Sequence, residues 1–429
     1  MNLKNYKILI LGLLIFLSTK AISQKKLNFL YVDSITYKYY LQKDWKNLIK
    51  ISKQAFNQNI DYYYLRMRAG IAYYERKQFI KAIPHFKKAL EFNTDTIAIE
   101  YLYYSYLSSG KFFDAQLFIS EQDKKIKKRL TKNIKPNGLF FDYQYAINTN
   151  YKPIVFEQDI YDNNITSNEK YFDLGLTRFK ANRLFYTLTF ARYSNLTTHL
   201  HQDFIDGNIT ENYDVSETNI YGGVIVQLSP KIEIASYTNL IFGKKTLQTY
   251  SRMRFAPQNT TRYTVPVNYN FMQYNFRNFK LKFDVTLTNV EELMYYPGLK
   301  INYYPLNNNT FALLGGIEYL NNPSQSENFT KPVYTLGSSA ILFKKLNLQA
   351  NYKIINSVNY IEQNGFIFFN GDDLIRDKFL IETTLILNKI DFFIRYQYIN
   401  LTHEYILNFN KINNNYNNQT FLGGIKWKF

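Results

Sequence analysis

The chain has 429 residues, room for two or three domains, and carries 40 Tyr and 35 Phe against 2 Trp, yet its mean hydropathy is only -0.33. Its formal charge of +18 at pH 7 would suit nucleic acid or anionic lipid as a partner. The absence of cysteine excludes structural disulfides, thiolate metal sites, cysteine nucleophiles and a lipid-bearing amino-terminal Cys.

At the amino terminus, Lys4 and Lys7 precede an apolar run over 8–17, and Ala21 and Ser23 place small residues before a cut ahead of Gln24. Residues 1–23 therefore have the form of a signal peptide; the run is too short to span a bilayer, which takes about 18 apolar residues or more. No later run reaches that length, so membrane-spanning helices are not expected. A secreted chain has little access to nucleic acid, which drops out as a partner.

From Lys25 to Arg129 apolar residues recur at three and four, the helical period. The clearest unit carries Gly70, Tyr73, Phe79, Ala82, Phe86, Ala89 and Leu90, with small residues where two helices cross and aromatics beside them. Tyr39, Trp45, Leu48 and Ala55 fall in the same slots one unit earlier, and Tyr106, Phe112, Ala115 and Ile119 one unit later, with Gly110 in the turn. This spacing resembles the tetratricopeptide repeat (TPR) of about 34 residues, the alternative being a generic helical bundle. The resemblance implies a stack of helix pairs that binds peptides or partner domains. Arg66, Arg68 and Arg76 are the weak candidates for partner binding there. The basic run Lys124, Lys125, Lys127, Lys128 and Arg129 and the breaker Pro136, Asn137 and Gly138 end the helical domain, placed at 24–136.

From Leu139 the period becomes two. Leu281, Phe283, Val285 and Leu287 alternate with Lys282, Asp284 and Thr286, and Leu348, Ala350, Tyr352 and Ile354 alternate with Gln349, Asn351 and Lys353. Short connections near 180–182, 229–230, 276–279, 305–309, 344–345 and 388–389 alternate with longer polar stretches at 148–168, 194–215, 244–261, 290–296, 321–331, 356–376 and 402–418. A soluble β-sandwich could alternate in the same way along its strands. Alternating short turns and long loops, with an apolar outer face, fit a transmembrane antiparallel barrel of about 14 strands (alternatively 12) over 137–429. An even count puts both ends of the barrel on one side and closes 419–429 against 139–147.

In the final strand, Phe421, Ile425, Trp427 and Phe429 share one face, with Lys426 and Lys428 on the other. Such an ending resembles the last strand of bacterial outer-membrane β-barrels, and that resemblance implies that Phe421, Ile425, Trp427 and Phe429 form the membrane-insertion signal. The lumen-facing set in this register includes Glu233, Lys282, Asp284, Lys353, Glu382, Arg395, Lys426 and Lys428. Mixed signs could either line a water channel or close the lumen with ion pairs.

Catalytic chemistry is not expected. His199 and His201 with Asp203 are a poor metal set, Ser194 with His199 and Thr402 with His403 match no hydrolase motif, and no P-loop or dinucleotide glycine pattern occurs. Neither metal nor cofactor is expected. The chain as a whole is read as an α+β multidomain protein, helical TPR-like repeats followed by a barrel. It resembles the layout of exopolysaccharide exporters and, more loosely, of YaiO-like barrels. The resemblance implies a bacterial outer-membrane protein with its helical domain in the periplasm, linked to transport, export or secretion, whose repeats recruit a periplasmic protein or exported substrate. Outer-membrane lipid is its other partner. A non-conducting anchor for a periplasmic complex is the alternative.

Overall fold

The computed structural model describes residues 26–131, 137–149, 154–155, 161–180, 183–203, 207–251, 258–289, 293–321, 330–362, 364–407 and 410–429. The expected signal peptide, 1–23, lies outside them. The described chain packs as two compact units, one holding the residues up to Arg76 with Lys81–Leu102, the other Lys77–Ile80 with Tyr103–Phe429. Helix gives way to strand between Thr131 and Gly138, whereas the packing units divide inside a helix.

Seven described helices run in order: α1 (Phe29–Leu41), α2 (Trp45–Asn57), α3 (Tyr63–Glu75), α4 (Phe79–Phe92), α5 (Thr96–Ser108), α6 (Phe112–Ser120) and α7 (Lys124–Thr131). Asn28 and Asp44 cap α1 and α2 by accepting from the Tyr31 and Asn47 amides at 2.8 and 3.2 Å, satisfying donors the helix start leaves free. One residue in the left-handed region closes each odd-to-even turn: Lys43 at φ 55°, Lys77 at 57° and Gly110 at 73°. The core of the first unit is made of small and branched residues. Val32, Leu48, Ala55, Leu65, Ala69, Ala82 and Ala89 are fully buried around Phe86, so facing helices approach closely.

The second unit is a closed antiparallel barrel of 14 strands, with one two-residue strand paired at its rim. Its strands are β1 (Gly138–Thr149), β2 (Ile154–Val155, the rim strand), β3 (Tyr161–Lys180), β4 (Leu184–Asp203), β5 (Gly207–Ser229), β6 (Ile232–Ser251) and β7 (Asn259–Phe276). They continue as β8 (Phe279–Asn289), β9 (Leu293–Tyr303), β10 (Phe311–Asn321), β11 (Thr330–Leu342), β12 (Leu346–Glu362), β13 (Ile367–Ile386), β14 (Ile390–Leu407) and β15 (Asn410–Lys428). The ring closes as β15 pairs with β1, Trp427 opposite Leu139 and Gln419 opposite Ile147, and β1 pairs in turn with β3. No edge is left for lipid to meet. At the short-turn end α6 seats on the barrel: Phe112 and Phe113 lie 5.4 Å from the Phe179 ring, and Gln227 Nε2 donates to Asp114 at 3.4 Å.

Most of the stretches expected as long loops are strand instead. β4 runs to Asp203, β5 starts at Gly207 and spans 23 residues, and β6 runs to Ser251. A tilted span needs about 9–11 residues, so these ladders extend past the membrane. There both faces meet water, and Asn, Thr and Tyr replace the apolar face without breaking the main-chain ladder. The polar sequence that reads as loop is paired strand outside the bilayer.

Candidate functional site: the occluded lumen

Along every strand one set of side chains faces outward and the other inward. Outward sit Leu174, Leu188, Phe190, Phe283, Tyr334, Leu336, Tyr352, Ile394 and Phe392, all exposed, which gives the apolar outer surface of a membrane-spanning barrel. Phe421, Ile425, Trp427 and Phe429 lie on that face at 49%, 45%, 55% and 47% exposure, among the most exposed large side chains near the short-turn end.

Inward, a charged layer crosses the barrel. Lys300 Nζ donates to Asp284 and to Glu318, both at 2.6 Å, and Glu362 accepts from Lys353 at 2.7 Å and Lys378 at 2.5 Å. Tyr360 links the two groups, donating to Glu318 at 3.0 Å and accepting from Lys353 at 3.1 Å, and Tyr269 donates to Asp284 at 2.6 Å. Three lysines thus meet three carboxylates in one connected network. Matching of this kind is what lets buried ions persist away from water. Arg395 holds Glu382 through Nε at 2.8 Å and Nη2 at 2.6 Å.

Beside this layer lies an apolar one. Ile241, Val265, Val267, Met294, Tyr296, Leu320, Val333, Ile355, Tyr360, Ile361, Ile375 and Ile399 are buried together, drawn from β6, β7 and β9–β14 on one side of the ring. Water is excluded from the part of the lumen that this cluster fills.

The two layers meet because one hairpin leaves the wall. The β12 ladder with β11 ends at Ile354 opposite Tyr334, although β11 stays paired with β10 as far as Thr330. Asn356, at φ 51°, sits in a bulge between Ile354 and Ser357, and a bulge bends its strand. On the other side β13 holds β14 only up to Leu374 opposite Thr402, while β14 and β15 stay paired to Leu407. Residues 355–362 and 364–375 turn inward and cross the lumen. At the tip Asn364 (φ 60°) and Gly365 (φ 86°) take left-handed conformations that Asn and Gly tolerate best.

The tip docks on the opposite wall. Asn239 Nδ2 donates to the carbonyls of Gly365 at 3.2 Å and Phe366 at 2.9 Å, and the Tyr221 hydroxyl donates to the Asn364 carbonyl at 3.4 Å. The Phe366 ring lies 4.8 Å from Tyr221 and 6.3 Å from Tyr171. A Cβ on Gly365 would sit 3.1 Å from Tyr269 Cβ and 3.3 Å from Val267, so the backbone is pressed against the wall. Stretch 356–376, expected as an outer loop, is instead a lumen-filling hairpin. Ile355, Tyr360, Ile361 and Phe366 are apolar, and in the barrel interior they pack against other buried side chains.

On the short-turn side of the hairpin a polar cavity of about 260 Å³ opens among Gln349, Asn351, Lys353, Lys378, Glu382 and Arg395. Of the remaining inward candidates, Lys282 lies 4.8 Å from the Phe271 ring centre, Glu233 accepts from Gln273 at 3.1 Å and Asn275 at 2.9 Å, Lys426 is half-buried, and Lys428 pairs with Asp391 at 2.7 Å. Among the described residues none of the four hydrogen-bonds to the charged layer, though Lys282 stands beside it, within reach of the charges of Lys300, Asp284 and Glu318. His403 pairs with Asp373 at 2.6 Å, and the side chains of His199, His201 and Asp203 lie outside the described residues.

The arginines singled out in the helical unit are held within it. Arg66 grips both Asp61 oxygens at 2.6 Å, lies 3.8 Å over the Phe56 ring and points Nη1 at His85 Nδ1, 3.3 Å away; Arg68 binds Asp33 at 2.7 Å. Arg76 stands exposed at the end of α3. His85 is stacked between Phe56 and Tyr73, at 5.5 and 5.3 Å. Burial, and then the Arg66 charge, push its pKa down from 6.5 to about 4. The folded unit keeps His85 neutral while the unfolded chain protonates it near pH 6.5. Stability is therefore lost as pH falls through this window, by about 2 kcal/mol at pH 5 and about 3 kcal/mol below pH 4. Hydrogen exchange of α2–α4 amides should show this loss, and His85→Phe should flatten it; equal protection at pH 7 and pH 5 in the wild type would contradict it.

No family model and no curated protein sequence matches the chain. Solved structures similar to it include the P. putida toluene transporter TodX, with TM-score 0.47 and 9% identity over 70% of this chain and 92% of that one. Another is a Pseudomonas aeruginosa FadL homologue, TM-score 0.46 and 8% identity over 73% and 92%. A third is the translocator domain of the autotransporter NalP from Neisseria meningitidis, TM-score 0.34 and 11% identity over 76% and 99%. The likeness is one of barrel fold, and says nothing of what this chain carries.

Proposed function

We propose that the chain is a bacterial outer-membrane transport barrel, linked to export or secretion, held closed at rest by its own hairpin. Its helical unit is a periplasmic tetratricopeptide-type stack that recruits a periplasmic protein or exported substrate. The observation that carries this reading is the form of the closure. The lumen is filled by a hairpin attached to the wall through two strands and a few polar contacts, with a polar cavity beneath it, rather than by a core that interlocks round the whole ring. A plug of this kind can move without unfolding the ladders that make the barrel.

Planar-bilayer recording on the purified full chain tests it. The wild type should stay closed, and a variant with 357–375 replaced by a short Gly/Ser link should pass current in discrete steps. Folding of that variant is checked by the heat-dependent gel mobility of a closed barrel. A folded variant without current would overturn the transport reading. It would favour the second reading, a non-conducting anchor, which the ion pairs that cross the lumen at Asp284, Glu318 and Glu362 also support.

A further inference from the structure

The hairpin tip meets its wall pocket as a ligand meets a receptor. Every hydrogen bond from Asn239 and Tyr221 to the tip is made to a main-chain carbonyl, on three successive residues, and the one side chain inserted is the aromatic ring of Phe366. Tyr221, Tyr237 and Tyr269 are buried around that ring, with Phe271 beside them. Donors met by successive backbone carbonyls, together with an inserted ring, are the elements of peptide recognition.

A second feature lies at the polar contact itself. Asn239 is fully buried, and its Oδ1 meets no donor among the described residues although the same amide's Nδ2 is fully used. A buried acceptor left unsatisfied is costly. A polypeptide presenting an N–H to Oδ1 would satisfy that acceptor.

We propose that the wall pocket of Tyr171, Tyr221, Asn239 and Tyr269 is a binding site for a polypeptide turn bearing an aromatic side chain. Residues 364–366 occupy it in the resting barrel as an internal ligand, and a cargo or partner polypeptide opens the lumen by taking their place. The opening step rests on the transport reading; the binding step does not.

The test uses the full chain with 357–375 replaced by a Gly/Ser link, in nanodiscs, and a synthetic peptide matching residues 358–368. Calorimetry should give saturable one-to-one binding. Phe366→Ala in the peptide, or Asn239→Leu in the barrel, should weaken it at least tenfold, and the peptide should block the variant's current. No binding, or binding indifferent to both changes, overturns the proposal. Binding without any current leaves the site standing and removes the transport reading instead. Should the hairpin-less chain fail to fold, Phe366→Ala in the intact chain serves. The hairpin should then become cleavable by protease and the wild-type peptide should protect the pocket residue Tyr221 from iodination; an uncleaved hairpin and unprotected Tyr221 would overturn the proposal.

Discussion

Glu362→Ala is expected to open the barrel. Glu362 holds two ammonium groups, Lys353 and Lys378, whose side chains are 21% and 3% exposed. Removing it takes the shared counter-charge from two neighbouring ammonium groups in a largely buried site, and breaking a buried pair this way costs about 3–5 kcal/mol. The cheapest relief is for the hairpin to leave, which lets water reach both lysines. Step conductance and protease cleavage of the hairpin should therefore appear together, with the barrel's gel mobility unchanged. Glu362→Gln keeps a hydrogen-bond acceptor without charge and should fall between the two. The double variant Glu362→Gln with Lys378→Met leaves Lys300 and Lys353 facing Asp284 and Glu318, two cations to two carboxylates, and should close again. A single Glu362→Ala variant as tightly closed as the wild type would mean that the charged layer does not hold the hairpin.

Gly70→Val should unfold the helical unit and spare the barrel. A Cβ at Gly70 would stand 2.6 Å from Phe86 Cε1, and the Phe86 ring, fully buried and stacked 5.2 Å from Tyr101, has nowhere to go. Overpacking of this sort costs about 1–3 kcal/mol, at its upper end when the opposing ring cannot turn, and valine's branched carbon adds crowding of its own. Amide protection across α1–α4 should collapse while barrel mobility on gels stays unchanged. Capture of a periplasmic partner should be lost with it if the unit recruits one. Gly70→Ala, which gains helix propensity while making the same first contact, should be milder. Full protection in Gly70→Val would show that α3 and α4 can part without loss.

The two halves of the chain were legible in the sequence because each rests on a local period. Three-and-four spacing around Gly70, Ala82 and Phe86 gives helices that cross at small residues, and the left-handed turns at Lys43, Lys77 and Gly110 keep the same beat. Period-two alternation in 280–288 and 346–354 sorts lipid-facing from inward residues, and the short connections mark the turns, so strand number and the closure of β15 on β1 follow. Where water replaces lipid the alternation fades, and strands such as the outer part of β5 read as loop. Arg66 and Arg68 read as free cations because Asp61 and Asp33, their partners, are fixed only once the helices pack.

What the lumen does was decided by tertiary structure alone. Asn364 and Gly365 announce a turn and Phe366 an apolar tip, but whether that hairpin stands in water or crosses the barrel depends on Asn239, Tyr221 and Tyr171, which lie more than a hundred residues away in sequence. The pairing of Glu362 with Lys353 and Lys378 likewise exists only after the hairpin folds back. A residue's period is set by its neighbours along the chain, and so the sequence by itself determined which side chains point inward. Which of them meet across the lumen is set by ring closure and by where one strand bends, and no local pattern carries that.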